Sequence, residues 1–168
     1  YEQFVERLVA AAQSLLVGDS ADPNVTYGPV IDQDSYQRLT RVIDEGGERG
    51  ELLCGGLIEG ANGFMIKPTI ISGLSVDDPI STEEHFGPVI TLHKVDSFSE
   101  SIKVATNSPY ALTGGLFSRS PINIAEAREK YVIGNLYINR TITGAIVGRQ
   151  PFGGFKMSGG GTKAGGPD

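Results

Sequence analysis

The spacing of apolar positions changes along the chain, and each change predicts an element. In residues 2–16, Phe4, Val5, Leu8, Val9, Ala12, Leu15 and Leu16 recur at helical steps. That spacing puts them on one face of a helix, with Gly18 placed to end it. Residues 18–29 are turn-rich, punctuated by Pro23-Asn24 and Gly28-Pro29. The helical step returns over 32–48, where Tyr36, Leu39 and Ile43 share a stripe and Gly46-Gly47 frays the end. Residues 51–54 read as a short apolar strand closed by Gly55-Gly56. Residues 64–71 read as a β-branched strand whose Pro68 predicts an edge position or a bulge.

From residue 89 onward strands and helices alternate. Strands are expected over 89–95, 113–117 and 135–138. Between the first two, Ser97 and Glu100 form a capping box for a helix reaching about Thr106. Between the last two, Ser120-Pro121 starts a helix reaching about Tyr131, with serine as cap and proline at the first helical position. This β-α-β-α-β order predicts three parallel strands, hence an α/β fold with a mainly parallel sheet flanked by helices. In such sheets ligands collect beyond the carboxyl ends of the strands. Asn139 is the first residue beyond the last strand. The stretch it opens, 139–168, is glycine-rich and largely without period, and a long irregular segment of a compact chain is usually functional or disordered. It is read as a substrate-binding loop plus an active-site wall.

Composition narrows the classes. The chain has 168 residues, the length of one ordinary domain, with 39% hydrophobic and 20% charged residues, as in globular proteins. A net charge of −6 without a basic cluster argues against a nucleic-acid surface. No apolar run approaches a membrane span, and no signal-peptide pattern opens the chain. A single cysteine allows no internal disulfide, so a reducing, cytoplasm-like compartment is expected. Cys54, His85 and His93 lack the close spacing of metal ligands, so no metal is expected. The chain starts in a helix without methionine and stops at Gly165-Gly166-Pro167-Asp168, which reads as a piece of a larger protein.

Two motif-like patterns weigh little. Gly159-Gly160-Gly161-Thr162-Lys163-Ala164 fits the dinucleotide fingerprint, but no strand leads into it and no βαβ unit follows. Cys54 follows Leu52-Leu53 in a strand, which predicts a buried, inert thiol rather than a nucleophile. Glu83-Glu84-His85-Phe86-Gly87-Pro88-Val89 is more interesting. Adjacent carboxylates usually mark a solvated turn. Here an aromatic, a glycine and a proline fix the backbone beside them, and a carboxylate can accept both hydroxyls of a ribose.

That stretch resembles the E-E-x-F-G-P-V signature of the aldehyde dehydrogenase superfamily. Tyr110-Ala111-Leu112, shortly after Asn107, is similar to the Y-G-L of its N-x-x-x-Y-G-L segment, with Ala111 where glycine is common and Asn107 one position closer to the tyrosine than the pattern's asparagine. Gly134 to Asn139 resembles its G-x-x-x-x-N strand end, and Pro151-Phe152-Gly153-Gly154 through Ser158-Gly159 its P-F-G-G-x-x-x-S-G loop. Gly28-Pro29-Val30-Ile31 fits its G-P-x-I turn. Asn139-Arg140, Thr143 to Gly148 and Lys163 to Asp168 resemble the branch of Δ1-pyrroline-5-carboxylate dehydrogenases, which oxidise L-glutamate γ-semialdehyde with NAD.

The resemblance implies that residues 1–168 are part of the aldehyde-binding catalytic domain of an NAD enzyme of proline catabolism, usually an oligomer. It implies cofactor contacts at Glu84 and Phe86. The backbone of Gly144 and Ala145 would anchor the amino acid end of the semialdehyde, and Phe152 would wall the aldehyde channel. No catalytic residue is carried over. The nucleophilic cysteine, the general-base glutamate and the Rossmann domain are expected upstream, so these residues alone should be inactive. His85, where an aliphatic residue is usual, implies a wet or altered contact on the cofactor side. Two alternatives stay open: an aldehyde dehydrogenase for another semialdehyde, and a non-catalytic binding or assembly module of the same fold.

Overall fold

The computed structural model describes residues 1–58, 60 and 63–166. They fall into two compact units, residues 1–94 and 95–168.

The first unit opens with α1 (Glu2–Gln13), α2 (Gln33–Arg49), β1 (Glu51–Leu57) and β2 (Ile66–Ser72). It closes with the single turn α3 (Pro79–Thr82) and β3 (Val89–Leu92). α1 ends before Leu15 and Leu16, short of the span its apolar spacing predicts. The reason is a competing backbone partner: Thr26 N–H donates to Leu16 O at 2.7 Å, and Gly18 N–H to Tyr27 O at 3.3 Å. α2 starts at a side-chain cap, with Ser35 N–H donating to Asp32 Oδ1 at 2.8 Å. Leu39 and Ile43, one turn apart, carry its buried face. With Ile66 they form one core cluster, flanked by Val30, Tyr36, Leu57 and Val89. Ile71, Leu74 and Ile80 form a second.

β2 is the centre of a three-stranded sheet of order β1-β2-β3, antiparallel to β1 and parallel to β3. Pro68 therefore lies in a central strand, not at an edge, and the alternative expectation of a bulge is the one met. Register slips between Cys54 and Gly56, and Gly55, at φ +109°, drops out of the ladder opposite it. The Gly56 N–H is then satisfied by Thr69 Oγ1 at 3.1 Å.

The second unit contains α4 (Phe98–Thr106), β4 (Tyr110–Ala111), β5 (Thr113–Leu116), α5 (Pro121–Lys130), β6 (Asn135–Ile138) and β7 (Phe155–Lys156). Both predicted caps form: Glu100 N–H donates to Ser97 Oγ, and Asn123 N–H to Ser120 Oγ. β5 and β6 run parallel, from Thr113 opposite Asn135 to Leu116 opposite Ile138. β4 pairs antiparallel with β7, a two-residue strand inside the glycine-rich stretch.

The fold is α/β, with parallel and mixed sheets. The three strands expected in one parallel sheet are shared differently: β3 ladders with β2, and β5 with β6. β2 is almost wholly buried, and its pairing with β1 on one side and β3 on the other satisfies its backbone. No helix among the described residues is long and apolar enough to cross a membrane.

Candidate functional site

The end of β6 is where the second unit builds its cavity. Asn139 has φ +55°, an uncommon conformation that asparagine tolerates better than most residues. Its amide closes a two-way bridge to residue 118: Ser118 N–H donates to Asn139 Oδ1, and Asn139 Nδ2 donates to Ser118 O, both at 2.9 Å. This turns the chain sharply out of the sheet.

Asn135, at the other end of β6, braces the loop that carries Phe152. Its Nδ2 donates to Pro151 O at 2.9 Å, and Gly153 N–H donates to its Oδ1 at 3.4 Å. Phe152 and Ala164 exchange backbone hydrogen bonds of 2.8 and 3.0 Å. The loop passes so close to Gly134 that a β-carbon there would collide with Gly153 O and lie 2.7 Å from Leu112 O. Downstream, Lys156, at φ +53°, aims its ammonium at the end of α4, donating to Thr106 O at 2.5 Å and Ser108 O at 2.7 Å. A cation at a helix carboxyl end is electrostatically favoured. Ser158 Oγ accepts from Ala111 N–H at 3.0 Å. The 139–166 stretch is thus tied to the sheet at intervals, although most of it is irregular.

Between these ties lies a cavity of about 390 Å³ lined by Gly144, Ala145 and Phe152 together with Thr113, Gln150 and Gly165, among others. Among the described residues, none that lines it is charged. Gly144 has φ +91°, a conformation a side chain would strain. The N–H groups of Gly144 and Ala145 donate to no other described residue. Such a pair in a turn suits an anion. Ala164 and Gly165, near the end of the glycine-rich stretch, form part of this wall, with Gly148 N–H donating to Gly165 O at 2.7 Å. The only signal was the glycine content itself. Pro167 and Asp168 lie outside the described residues. Gly159 to Ala164 opens no helix, in keeping with its reading as a chance match to the dinucleotide fingerprint.

Glu84 and Phe86 sit in the first unit, on a cavity of about 530 Å³ shared with Val30, Ile31, Ser35 and Arg38. The loop carrying them is held from beneath. Arg38 donates through Nη1 to His85 O, and His85 Nε2 donates to Ile80 O at 3.0 Å. A β-carbon on Gly87 would come within 2.5 Å of both Leu39 methyls. One nitrogen of the His85 ring is therefore taken up by the backbone of α3. Phe86 is 80% exposed at φ +47°, and the Glu84 carboxylate is exposed with no ion pair or hydrogen bond to another described residue. An exposed ring and a free carboxylate on one cavity fit a nucleoside's sugar and base edge. Arg38 was missed from sequence, where it looks like any charge on a helix surface.

Cys54 is 8% exposed, and burial pushes its thiol up from the usual range. Its sulfur lies 3.7 Å from Pro68 O. A raised thiol is the opposite of an activated nucleophile. A larger cavity, about 850 Å³, touches Tyr1, Leu74, His93 and Lys94 and includes none of the motif residues.

A model of the aldehyde dehydrogenase family matches residues 1–168. Over its whole length the chain is 45% identical to a 1-pyrroline-5-carboxylate dehydrogenase of Geobacillus sp. strain WCH70, covering 33% of that protein. It is 44% identical to one from Bacillus subtilis strain 168, again covering 33%. The chain thus spans about a third of the length of the curated relatives it matches. Among solved structures, 1-pyrroline-5-carboxylate dehydrogenase from Thermus with bound NAD matches with a TM-score of 0.90 at 41% identity, over 96% of this chain and 31% of that one. Proline utilization A (PutA) from Bdellovibrio bacteriovorus, inactivated by N-propargylglycine, matches with a TM-score of 0.94 at 44% identity, over 100% of this chain and 17% of that one.

Proposed function

The chain belongs to the aldehyde dehydrogenase family, and on that premise we propose that it is the substrate-anchoring part of an NAD-dependent enzyme oxidising L-glutamate γ-semialdehyde to glutamate in proline catabolism. The observation that carries this reading is a cavity whose described lining is uncharged, with the N–H groups of Gly144 and Ala145 bonded to no described residue. A carboxylate there would have two backbone donors beside it and, among the described lining residues, no opposing carboxylate. Phe152, on the same cavity, offers an apolar wall to the methylene chain leading to the aldehyde. Names of the relatives at 44–45% identity support the same substrate.

NAD, when bound, supplies the hydride acceptor. In this chain Glu84 would hold the hydroxyls of the nicotinamide ribose and Phe86 would cover one side of the cofactor. The thiolate that attacks the aldehyde and the glutamate that activates water would come from the parent protein outside residues 1–168, since Cys54 is buried with a raised pKa. Residues 1–168 expressed alone are therefore expected to reduce no NAD above background with the semialdehyde. A cytoplasmic location and a homo-oligomeric parent go with this reading.

The test is Ala145→Leu in the full-length parent. A leucine side chain beside the two donors should raise KM for the semialdehyde about tenfold or more, with kcat changed much less. An unchanged KM would transfer the assignment to another aldehyde. NADH formation by the isolated chain would sink the reading of these residues as an incomplete site.

A further inference from the structure

Two donors in a flexible loop bind an anion poorly unless something holds them, because ordering the loop opposes binding. Residues 144–148 are bounded by glycines at φ +91° (Gly144) and +79° (Gly148), so the loop has little stiffness of its own. Its ends are tied unequally. At one end Arg140 Nη2 reaches Thr143 O at a long 3.4 Å; at the other Gly148 N–H donates to Gly165 O at 2.7 Å. The firm hold lies between them. Gln150 grips Ile146 at both polar backbone atoms: its own N–H donates to Ile146 O at 3.0 Å, and its side-chain Oε1 accepts from Ile146 N–H at 2.8 Å. Arg149 N–H shares the Ile146 carbonyl at 3.0 Å.

The side-chain bond has two consequences. The peptide linking Ala145 to Ile146 is planar, so fixing Ile146 N–H fixes the Ala145 carbonyl and limits rotation next to the anion donors. It also consumes Ile146 N–H, leaving Gly144 and Ala145 to the ligand. Gln150 lines the same cavity as both donors, and among the described lining residues only Gln150 carries a side-chain amide.

We propose that Gln150 is a positioning residue for the amino acid end of the substrate, holding the Gly144-Ala145 donors through Ile146. The inference rests on the function proposed above and goes beyond it by naming what makes the clamp competent. Gln150→Met keeps the side-chain bulk and removes the acceptor. Gln150→Asn, a smaller change at an exposed position, keeps polarity but withdraws the acceptor from Ile146. In the full-length parent, each should raise KM for L-glutamate γ-semialdehyde roughly three- to tenfold, the fold-change expected from one net hydrogen bond. kcat should stay within about twofold, and KM for propanal, which lacks the amino acid end, should not move. An unchanged semialdehyde KM in both variants overturns the proposal. So does an equal rise for propanal, which would mean general loosening. A wild-type enzyme that oxidises propanal but not the semialdehyde overturns the proposed function and this inference together. Wild-type turnover of the semialdehyde with unresponsive Gln150 variants overturns the inference alone.

Discussion

Leu39 links the core of the first unit to the loop carrying Glu84 and Phe86. It is completely buried, and Gly87 rests on its two methyl groups. Leu39→Ala removes three buried carbons, about 2.5 kcal/mol of transfer free energy at ~0.8 kcal/mol each. The unfilled space adds to this, for a total of about 2–5 kcal/mol. Ile43→Ala supplies the control. Ile43 is 4% exposed and lies in the same cluster one helical turn on, with no described contact to Gly87. Both substitutions should lower the unfolding temperature of the full-length parent. Only Leu39→Ala should also weaken NAD. Phe86 is held at φ +47°, which costs a non-glycine residue roughly 1 kcal/mol or more. Without the Leu39 platform the loop relaxes, and binding must restore the conformation, a loss of about fivefold in affinity. Isothermal titration of NAD into the wild type and both variants measures this. Equal NAD affinity in all three, or equal weakening in both variants, would refute the idea that the core holds the loop in place.

Other perturbations test other parts. Gly134→Ala places a β-carbon against Gly153 O and 2.8 Å from Gly154 Cα, all backbone that cannot rotate away. It should cost about 1–3 kcal/mol or more and raise the aldehyde KM by displacing Phe152, read from thermal unfolding and kinetics together. Cys54, buried with its thiol pushed up, should be alkylated only as fast as the protein opens; peptide mass spectrometry showing fast labelling at pH 8 in the native state would contradict its burial. Burial pushes the Tyr27 phenol, which donates to Ile66 O at 2.9 Å, up to about 12 from 10.0. A proton held more tightly when folded gives stability that is complete below pH 10 and lost as pH rises towards 12. Tyr27→Phe should flatten that part of a stability–pH profile, and an unchanged slope would show that Tyr27 does not titrate abnormally.

What the chain reveals locally is accurate wherever the deciding contacts are short-range. Ser97 and Ser120 cap the helices they announce, because each serves an N–H three residues away. Asn135–Ile138 is a strand at its predicted bounds, and the apolar stripe of α2 is its buried face. Cys54 is buried as its neighbours imply. The two motif-bearing stretches were also legible, since their glycines and prolines constrain a backbone whatever surrounds it.

Pairing and enclosure were decided only by tertiary structure. Periodicity marks β3 as a strand but does not say that it ladders with β2, and α1 is shortened by a loop ten residues away. His85 turns to the α3 backbone, and Arg38 reaches His85 O from 47 residues upstream in sequence. Ala164 and Gly165 become a wall for Gly144 only because Phe152 and Gly148 pair with them. Hydrogen bonds between distant residues depend on how the whole chain closes, and local spacing holds no record of that closure. The residue types that can bind an anion were visible in the sequence, while the cavity that brings them together arises from the fold.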